Sequence, residues 1–299
     1  MDSAAPAPVV DLCMPFWGDP DDLKAAVRSI LDQTDPHWRL TVIDDCYPVD
    51  VKPFFDGIDD PRIVYRRNES NVGITENFRR AVAAATGPLV VVMGSDDLLL
   101  PNYVHLMRKT AQANSDVDIF QLGVTVIGSD GEPGGSLADT VKLRLLTPRH
   151  ATTLRGEDLA RSLLVGDWLY WPSLMFRTDT VRRFEFHDDL PIILDLALLL
   201  DLALDGRALR YEPTQAFAYR RHSESLSQQS LLDGTRFADE RRYYRSIAQI
   251  TQSLGWKRAA RAAKWRIMSR LHGIALLPAI LLHGSSAARV SALKLAFAP

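Results

Sequence analysis

Two adjacent acidic residues, Asp96 and Asp97, follow an apolar stretch of the chain and precede Pro101. The stretch Leu89–Met93 is apolar throughout, which predicts a strand covered on both faces with the acids at its end. Carboxylate oxygens in that position suit a hard divalent cation such as Mg²⁺ or Mn²⁺. A helix cap or a turn before Pro101 would also explain the two acids, so on their own they leave both interpretations open.

Two further polar clusters also follow apolar stretches. Asp44-Asp45 comes after Trp38–Ile43, and Asn71-Val72-Gly73 comes shortly after Ile63–Tyr65. Apolar residues at helical spacing lie between these stretches, so the first half of the chain alternates strand and helix, as in a parallel sheet with helices on both faces. Because ligands of such sheets bind outside the carboxyl ends of the strands, we expect all three polar clusters at one edge.

The predicted fold class is therefore α/β. The second half of the chain is less regular, with further strands, an apolar helix that ends at Gly206 and helical sequence from about Gly234 onward. The predicted strands are Val9–Met14, Trp38–Ile43, Ile63–Tyr65, Leu89–Met93, Val117–Ile127, Val141–Leu145 and Leu209–Tyr219. The predicted helices of the second half are Glu157–Val165 and Pro191–Asp205.

The order of motifs over the first third of the chain resembles that of family-2 glycosyltransferases, whose GT-A fold is a Rossmann-like, mostly parallel sheet flanked by helices. The resemblance rests on a Pro-aromatic turn, an Asp-Asp pair, an Asn-x-Gly with a downstream Asn, and an Asp-x-Asp-like motif before a Pro-headed helix. It implies a nucleotide-sugar donor and a divalent metal, Mn²⁺ or Mg²⁺, with Asp96 as a metal ligand. The donor-binding residues that it implies are Pro15, Phe16, Trp17, Asp45, Asn71, Gly73, Asn77, Ser95 and Asp97.

The second half of the chain resembles the same family more loosely. Asp195, within the apolar helix, stands where the family has its general base. The segment Tyr219–Ser227 resembles a loop that closes over the donor phosphates, and the resemblance implies that Arg221 contacts a phosphate and that His222 ligates the metal. The acids that compete with Asp195 for the role of base are Asp188, Asp189 and Asp201.

The chain departs from the family pattern at two positions. Gly94 stands where the motif usually has an acid, and Leu194 stands where a Glu usually precedes the general base. These departures leave open a different class of function, a catalytically silent nucleotide-sugar-binding or scaffold protein of a glycan-assembly complex. A sugar-nucleotide pyrophosphorylase would need a Gly-rich N-terminal loop, which the sequence lacks. No dinucleotide fingerprint, P-loop or nucleophile elbow occurs either.

The charge of the chain is unevenly distributed. The stretch 256–299 carries eight basic residues and no acidic one, although the whole chain has a formal net charge of −2. We expect a GT-A domain over 1–230, with a donor-binding half at 9–115 and an acceptor-side half at 116–230, and a basic helical extension over 231–299. The extension could bind an anionic membrane surface, its own domain or a partner subunit. Nucleic acid is not expected as a partner, because no recognised binding module accompanies the charge.

The sequence thus predicts a metal-dependent hexosyl- or deoxyhexosyltransferase that inverts the anomeric carbon. The expected donor is UDP-, dTDP- or GDP-linked, and the acceptor is the hydroxyl of a glycan or a lipid-linked glycan in cell-surface or envelope polysaccharide synthesis. Cys13 and Cys46 are the only cysteines, which favours a reducing compartment. We therefore expect a cytoplasmic protein that can bind the cytoplasmic membrane face peripherally, and oligomerisation stays open.

Overall fold

The structure, a computed structural model, describes residues 9–190, 193–221, 235–283 and 289. These residues form one mixed sheet with helices on both faces, which confirms the predicted α/β class. The strands run in the order β3-β2-β1-β4-β8-β6-β9-β5, and β7 pairs with β9. They are β1 (Val10–Phe16), β2 (Trp38–Asp44), β3 (Ile63–Arg67), β4 (Leu89–Val92), β5 (Leu98–Leu99), β6 (Ile119–Ile127), β7 (Thr152–Arg155), β8 (Met175–Arg177) and β9 (Ala208–Arg220).

The helices cover the sheet and fill the connections between strands. The α-helices are α1 (Pro20–Leu31), α2 (Lys52–Asp56), α3 (Ile74–Ala84), α4 (Tyr103–Ala113), α5 (Leu137–Val141), α6 (Gly156–Val165), α7 (Thr178–Val181), α8 (Leu194–Leu204), α9 (Thr235–Ser253), α10 (Lys257–Trp265) and α11 (Ile267–His283). A π-helical turn spans Lys142–Leu146, and a 3₁₀ turn spans Trp171–Ser173.

Strands β3, β2, β1 and β4 form the parallel half of the sheet, as predicted from the first half of the chain. Alternate side chains of these strands enter two separate apolar layers, because successive residues of a strand point to opposite faces. Leu12 packs with α1 and α4 in one layer, whereas Cys13 packs with α3 in the other. The parallel register brings the ends of β1, β2 and β4 to one edge, where the polar clusters follow.

The other half of the sheet is mixed. β8 runs antiparallel between β4 and β6, while β6 and β9 pair in parallel. A bulge interrupts the β6–β9 ladder at Gly123, where an added Cβ would lie 2.5 Å from the carbonyl oxygen of Pro213. The sheet is therefore less parallel than the sequence suggested, because short strands from the second half join it in the opposite direction.

The predicted strand Val141–Leu145 is wrong, since this stretch is helical. Ser136 begins α5 with a capping box: its side chain accepts from the Asp139 N–H, and the Asp139 carboxylate accepts from the Ser136 N–H. The helix then widens into the π-helical turn Lys142–Leu146. Alternating apolar and basic residues over 141–145 resemble the pattern of a strand, but the cap at Ser136, five residues before Val141, begins a helix.

Helix α9 packs into the same apolar core as helix α8. Tyr243, Tyr244 and Ile247 of α9 are buried in one apolar cluster with Leu196 and Leu199 of α8. The predicted helix Pro191–Asp205 is α8, and its first two residues lie outside the described residues. Among the described residues, no helix combines the length and the apolar character needed to cross a membrane.

Candidate active site at the carboxyl end of β4

Asp96 and Asp97 lie just beyond β4, at the edge of the sheet where β1 and β2 also end. Their carboxylates converge on the space above Gly94: a Cβ added there would lie 2.5 Å from Asp97 Oδ2 and 2.9 Å from Asp96 Oδ1. Only a residue without a side chain leaves that space to the two carboxylates. The absence of a side chain at Gly94 is therefore part of the geometry of the acid pair.

The carboxylate of Asp97 is buried, with 1% of the residue exposed. Its Oδ1 accepts a hydrogen bond from the Arg220 backbone N–H at 2.9 Å, whereas its Oδ2 has no hydrogen-bond partner among the described residues. Burial and the neighbouring charge of Asp96 raise the pKa of Asp97 well above its ordinary value. A bound cation would satisfy Oδ2 and relieve the repulsion between the two acids, so this pair fits a divalent metal.

Arg220, at the end of β9, ties the acid pair to its surroundings. Besides the backbone contact with Asp97, its Nε donates to the Asp96 carbonyl oxygen at 2.8 Å and lies 3.3 Å from an Asp22 carboxylate oxygen. Its Nη1 donates to the Ser129 carbonyl oxygen at 3.1 Å. The sequence interpretation missed both Arg220 and Asp22. The only signal was the Arg-Arg pair after the last strand, from which Arg221 was selected.

Arg221 lies beside the acid pair and forms a bidentate ion pair with Asp139 of α5, at 3.0 and 2.6 Å. Burial acts to raise the pKa of Asp139, but hydrogen bonds from Arg221 and Ser136 more than offset it and hold the pKa at about 2. The Arg221 guanidinium also lies 5.2 Å from the centre of the Tyr219 ring. The predicted phosphate partner is thus held in place by a protein carboxylate and remains partly exposed.

Asp45 anchors the loop Asn71–Gly73 through both carboxylate oxygens. Oδ1 accepts from the Val72 N–H at 2.9 Å and from Asn68 Nδ2 at 2.8 Å, and Oδ2 accepts from the Gly73 N–H at 3.0 Å. Gly73 has a φ of 84°, a conformation that favours glycine, and it begins α3. The structure therefore brings Asp45, Asn71 and Gly73 together, with Asp45 as the buried support of the loop.

Asn77 and Phe16 support this edge from below. Asn77 is buried, donates to the Ile43 carbonyl oxygen at 3.1 Å and accepts from Asn68 at 3.2 Å. Phe16 is fully buried, and its ring centre lies 5.3 Å from that of Tyr47. Both predicted donor-binding residues therefore act from beneath the surface, because neither side chain reaches solvent.

Trp17 presents the exposed aromatic surface of the edge, with 52% of the residue exposed. Its ring meets that of Tyr47 edge-on, with the centres 5.3 Å apart. The loop after Pro15 also approaches Ser95, whose Oγ lies 3.9 Å from the position of a Cβ on Gly18. Tyr47, which the sequence interpretation missed, is thus the side chain that orients Trp17 beside the acid pair.

Asp195 begins α8 and is the one half-exposed residue in a run of buried ones. Its Oδ1 accepts from the Leu196 N–H at 2.8 Å. Burial lowers the pKa of Lys142, and the negative charges of Asp167 and Asp195 act against that effect. Lys142 Nζ donates to the Leu169 carbonyl oxygen at 2.5 Å and lies 3.9 Å from the centre of the Tyr170 ring.

The two parts of the site meet through aromatic rings. Tyr170 lies 5.0 Å from Tyr219, centre to centre, and its hydroxyl donates to Asp139 at 3.4 Å. Burial raises the pKa of Tyr219, and the nearby negative charges of Asp97 and Asp96 raise it further. A series of neighbouring side chains, Tyr219, Tyr170 and Lys142, thus connects the acid pair with Asp195.

The competing acids each have a partner elsewhere. Asp188 accepts from Arg79 at 2.6 Å, Asp201 lies 2.7 Å from His187, and Asp189 lies 3.4 Å from Arg242. His222, the second predicted metal ligand, lies outside the described residues. Within the part of the chain that is described, no group of three or more His, Cys, Asp or Glu residues is arranged to hold a metal ion. Asp96 and Asp97 remain the described candidates.

Comparison with known proteins agrees with this geometry. Residues 11–159 match the sequence model of Glycosyl transferase family 2. WcaA of Escherichia coli, a glycosyl transferase whose name assigns it to colanic acid biosynthesis, is 28% identical over 97 residues, which are 32% of this chain and 35% of WcaA. TuaG of Bacillus subtilis, whose name assigns it to teichuronic acid biosynthesis, is 27% identical over 130 residues, which are 42% and 50% of the two chains.

Longer but weaker similarity extends into the second half of the chain. The succinoglycan biosynthesis protein ExoO of Rhizobium meliloti is 24% identical over 226 residues, or 76% of this chain and 64% of ExoO. The chain therefore spans between about a third and two thirds of the length of these three relatives. The crystal structure of S. aureus TarS 1–349 with UDP-GlcNAc shares the fold, with a TM-score of 0.64 at 13% identity over 80% of this chain and 66% of TarS. Residues 11–159 of this chain are thus similar in sequence to glycosyl transferase family 2, and the fold of the chain is that of TarS.

Proposed function

We propose that the protein transfers a sugar from a nucleoside-diphosphate sugar to a hydroxyl group of a glycan acceptor. The observation that carries this proposal is the acid pair beyond β4, in which the buried Asp97 Oδ2 has no hydrogen-bond partner in the described part of the chain and both carboxylates point into the space left by Gly94. A divalent cation is the ligand that such a pair of carboxylates would bind. In a family-2 domain, the diphosphate of a nucleotide sugar is the group that this cation would serve.

Asp96 and Asp97 would hold the metal, which we propose to be Mn²⁺ or Mg²⁺ because both ligands are carboxylate oxygens. Held by these two carboxylates, a divalent ion would supply positive charge to offset the charge that develops on the departing diphosphate. Arg220 fixes the two acids through their backbone and carboxylate contacts, so the pair is preorganised. His222 stays a predicted further ligand outside the described residues.

The nucleotide half of the donor would lie along the edge formed by Trp17 and the loop Asn71–Gly73. Trp17 offers an exposed aromatic face, and the loop offers backbone groups held by Asp45. TarS, which shares the fold, has been crystallised with UDP-GlcNAc and with UDP. We therefore propose a uridine nucleotide as the first donor to test, ahead of the dTDP and GDP sugars.

Asp195 is the group that we propose as general base. Its carboxylate would take the proton of the acceptor hydroxyl, while that oxygen attacks the anomeric carbon and the bond to the diphosphate breaks. Direct attack opposite the leaving group inverts the anomeric configuration. The positive charge of Lys142 is close enough to interact with the Asp195 carboxylate, so the two groups lie in the same part of the site.

The acceptor that we propose is a growing cell-surface polysaccharide. The names of WcaA, TuaG and ExoO refer to colanic acid, teichuronic acid and succinoglycan synthesis, respectively. We place the reaction in the cytoplasm because Cys13 and Cys46 are both unpaired thiols. The sugar that is transferred would be a hexose or a deoxyhexose.

Thermal unfolding with UDP, dTDP or GDP, each with and without Mn²⁺, tests donor binding. A ligand that binds the native state raises its midpoint, so one nucleotide should stabilise the protein and should need the metal to do so. Failure of all three nucleotides would contradict the proposal. Hydrolysis of the matching nucleotide sugar then separates a transferase from a catalytically silent binding protein, because only the transferase releases the diphosphate.

A further inference from the structure

The helices α10 and α11 expose an unusual combination of side chains next to each other. Three basic residues, Lys257, Arg261 and Lys264, project from α10, and a run of large apolar residues follows on Trp265 and α11. We refer to these residues as the C-terminal surface. Its exposed apolar members are Trp265, Ile267, Leu271 and Ile274.

The basic residues form one stripe. Lys257, Arg261 and Lys264 are spaced by four and three positions, which places them on one face of a helix. The opposite face of α10 is buried through Ala259 and Ala263. Along the described part of the chain none of the three basic side chains has an ion-pair partner. Their positive charge is thus directed outward and is not neutralised by the fold.

Arg258 shows the contrast within the same helix. Its guanidinium pairs with Glu157 at 3.1 Å and with Asp158 at 3.0 Å, and these contacts hold α10 against α6. The fold therefore uses one basic residue of α10 for its own packing and leaves the other three outward. A helix that served only to cover the core would not need three further unpaired charges.

The exposed apolar residues form a second stripe, which follows the basic stripe along the chain. Ile267, Leu271 and Ile274 follow the same four-and-three spacing on α11, with 56%, 53% and 42% of each residue exposed. Trp265, at the junction, is 57% exposed. Large apolar residues in contiguous exposed positions mark a surface that is covered when the protein functions. An indole between a basic and an apolar stripe suits the boundary between lipid headgroups and acyl chains.

The junction between the helices fixes the two stripes relative to each other. Arg266 adopts a left-handed backbone conformation with φ of 46°, and its residue is buried. Met268 of α11 packs against Gly166, at the end of α6: a Cβ added to Gly166 would lie 2.9 Å from Met268 Cγ. Gly166 directly precedes Asp167, whose charge reaches Lys142 on the acceptor side of the candidate site.

We propose that the C-terminal surface docks the protein on an anionic lipid membrane. The basic stripe would pair with lipid phosphates, and the apolar stripe would enter the boundary of the acyl chains. A nucleic acid would leave the apolar stripe in water, and a second copy of the same surface would bring like charges together. Because Met268, next to Ile267 of this surface, lies beside Gly166, docking would hold the acceptor side of the candidate site near the membrane, where a lipid-linked acceptor of the proposed reaction would reside.

Vesicle co-sedimentation of the full chain tests this proposal. We expect binding to vesicles of phosphatidylcholine with phosphatidylglycerol, little binding to phosphatidylcholine alone, and weaker binding at high salt. The variant Lys257→Gln/Arg261→Gln/Lys264→Gln should bind anionic vesicles about tenfold or more weakly, because each basic residue near the lipid contributes. The variant Leu271→Ser should also weaken binding, since its effect reports the apolar stripe and not the charge.

The matched control is Arg28→Gln/Lys109→Gln/Arg183→Gln, which removes the same charge from exposed positions outside the C-terminal surface. The control should bind vesicles as the unaltered protein does, and circular dichroism should show that all variants are folded. Equal loss in both triple variants would mean that net charge alone drives binding, and it would overturn the proposal. Tighter binding to a short DNA duplex than to anionic vesicles, unaffected by Leu271→Ser, would overturn it as well. Neither result depends on the donor tests, so the two proposals fail separately.

Discussion

The backbone N–H of Arg220 donates to Asp97 Oδ1 at 2.9 Å, which joins the end of β9 to the end of β4. The two residues are 123 positions apart in the chain. The same arginine binds the Asp96 carbonyl oxygen through Nε, so one residue constrains both members of the acid pair. The metal site that we propose is therefore completed from the last strand of the sheet, well beyond the domain that the family match covers.

Gly94→Ala tests whether the space above Gly94 belongs to the two carboxylates. The added methyl group would lie 2.5 Å from Asp97 Oδ2 and 2.9 Å from Asp96 Oδ1, so the acids must move apart. We expect Mn²⁺-dependent nucleotide binding to weaken about tenfold or more, with a loss of about 1–3 kcal/mol in unfolding free energy from overpacking. Gly57→Ala is the control, because its nearest contact is an ordinary 3.5 Å. Undiminished metal-dependent binding in Gly94→Ala would contradict this geometry.

Asp97→Asn should separate stability from ligand binding. The folded state raises the pKa of Asp97 through burial and the charge of Asp96, so the ionised carboxylate opposes folding at neutral pH. We expect the neutral amide to raise the thermal midpoint and to abolish stabilisation by Mn²⁺ with UDP. Asp59→Asn, at an exposed position, should leave both quantities unchanged. A lower midpoint together with intact metal-dependent binding would show that Asp97 is purely structural.

Asp45→Asn addresses the support of the loop Asn71–Gly73. An amide has one acceptor oxygen, so it cannot serve the Val72 and Gly73 N–H groups as the two carboxylate oxygens do. We expect a loss of about 1–3 kcal/mol in unfolding free energy, as for an unsatisfied buried polar group, and a higher KM for the donor. Urea unfolding and donor kinetics provide the measurements. Asp50→Asn is the control and should change neither quantity, because Asp50 is exposed and its amide oxygen can still accept from the Lys52 N–H.

Asp195→Asn tests the proposed general base. Without a basic carboxylate, transfer should slow by about 100-fold or more, while the Kd for the nucleotide stays the same. Asp201→Asn lies on the same helix and removes a carboxylate that contacts His187, so it controls for a general effect on α8. The rate of transfer and the calorimetric Kd should be measured for both variants. Equal rates in the two variants would refute the role of Asp195.

The ion pair between Asp139 and Arg221 predicts a pH-dependent contribution to stability. The folded state lowers the pKa of Asp139 to about 2, so the stabilisation is present above the ordinary carboxyl pKa and disappears as the pH falls towards 2. We expect Asp139→Asn to lower the unfolding free energy by about 2 kcal/mol at pH 7. The difference from the unaltered protein should shrink between about pH 4 and pH 2, as urea titrations at each pH would show.

A surface pair provides the control for that titration. Asp116 pairs with Arg155 at an exposed position, where screening by water leaves such pairs with little effect on stability. Asp116→Asn should therefore follow the unaltered protein at every pH. A difference between Asp139→Asn and the unaltered protein that stays constant from pH 7 to pH 2 would mean that packing, and not charge, explains the effect.

The sequence predicted best those features that depend on residues close together in the chain. Continuous apolar runs located β1, β2 and β4 to within a few residues, and the polar residues after them do meet at one edge. Gly73 and Gly206, predicted next to helix ends, both have positive φ. These features depend on neighbours in the chain, so hydrophobic period and turn chemistry suffice to find them.

Features that depend on distant partners could not be found in this way. Arg220 meets Asp97 only because β9 returns to the same edge, and Asp139 meets Arg221 only through a helix that the apolar alternation at 141–145 concealed. The residue types of Asp45 and Asn77 were identified, but their burial beneath the loop depends on the packing of α3. The sequence thus located the residues more reliably than it predicted what each side chain contacts.

The parallel pairing of β6 with β9 has a consequence for how such enzymes diverge. Between the end of β6 at Ile127 and the start of β9 at Ala208, the chain adds only the short strands β7 and β8 to the sheet, so the crossover that joins the two parallel strands is one contiguous segment. The acid pair, the loop Asn71–Gly73 and Arg220 lie outside that crossover, whereas Lys142 and Asp195 lie within it. Exchange of that one contiguous gene segment would therefore replace Lys142 and Asp195, to which we assign the acceptor side, and keep the acid pair and Arg220, so recombination offers a direct route to new acceptors.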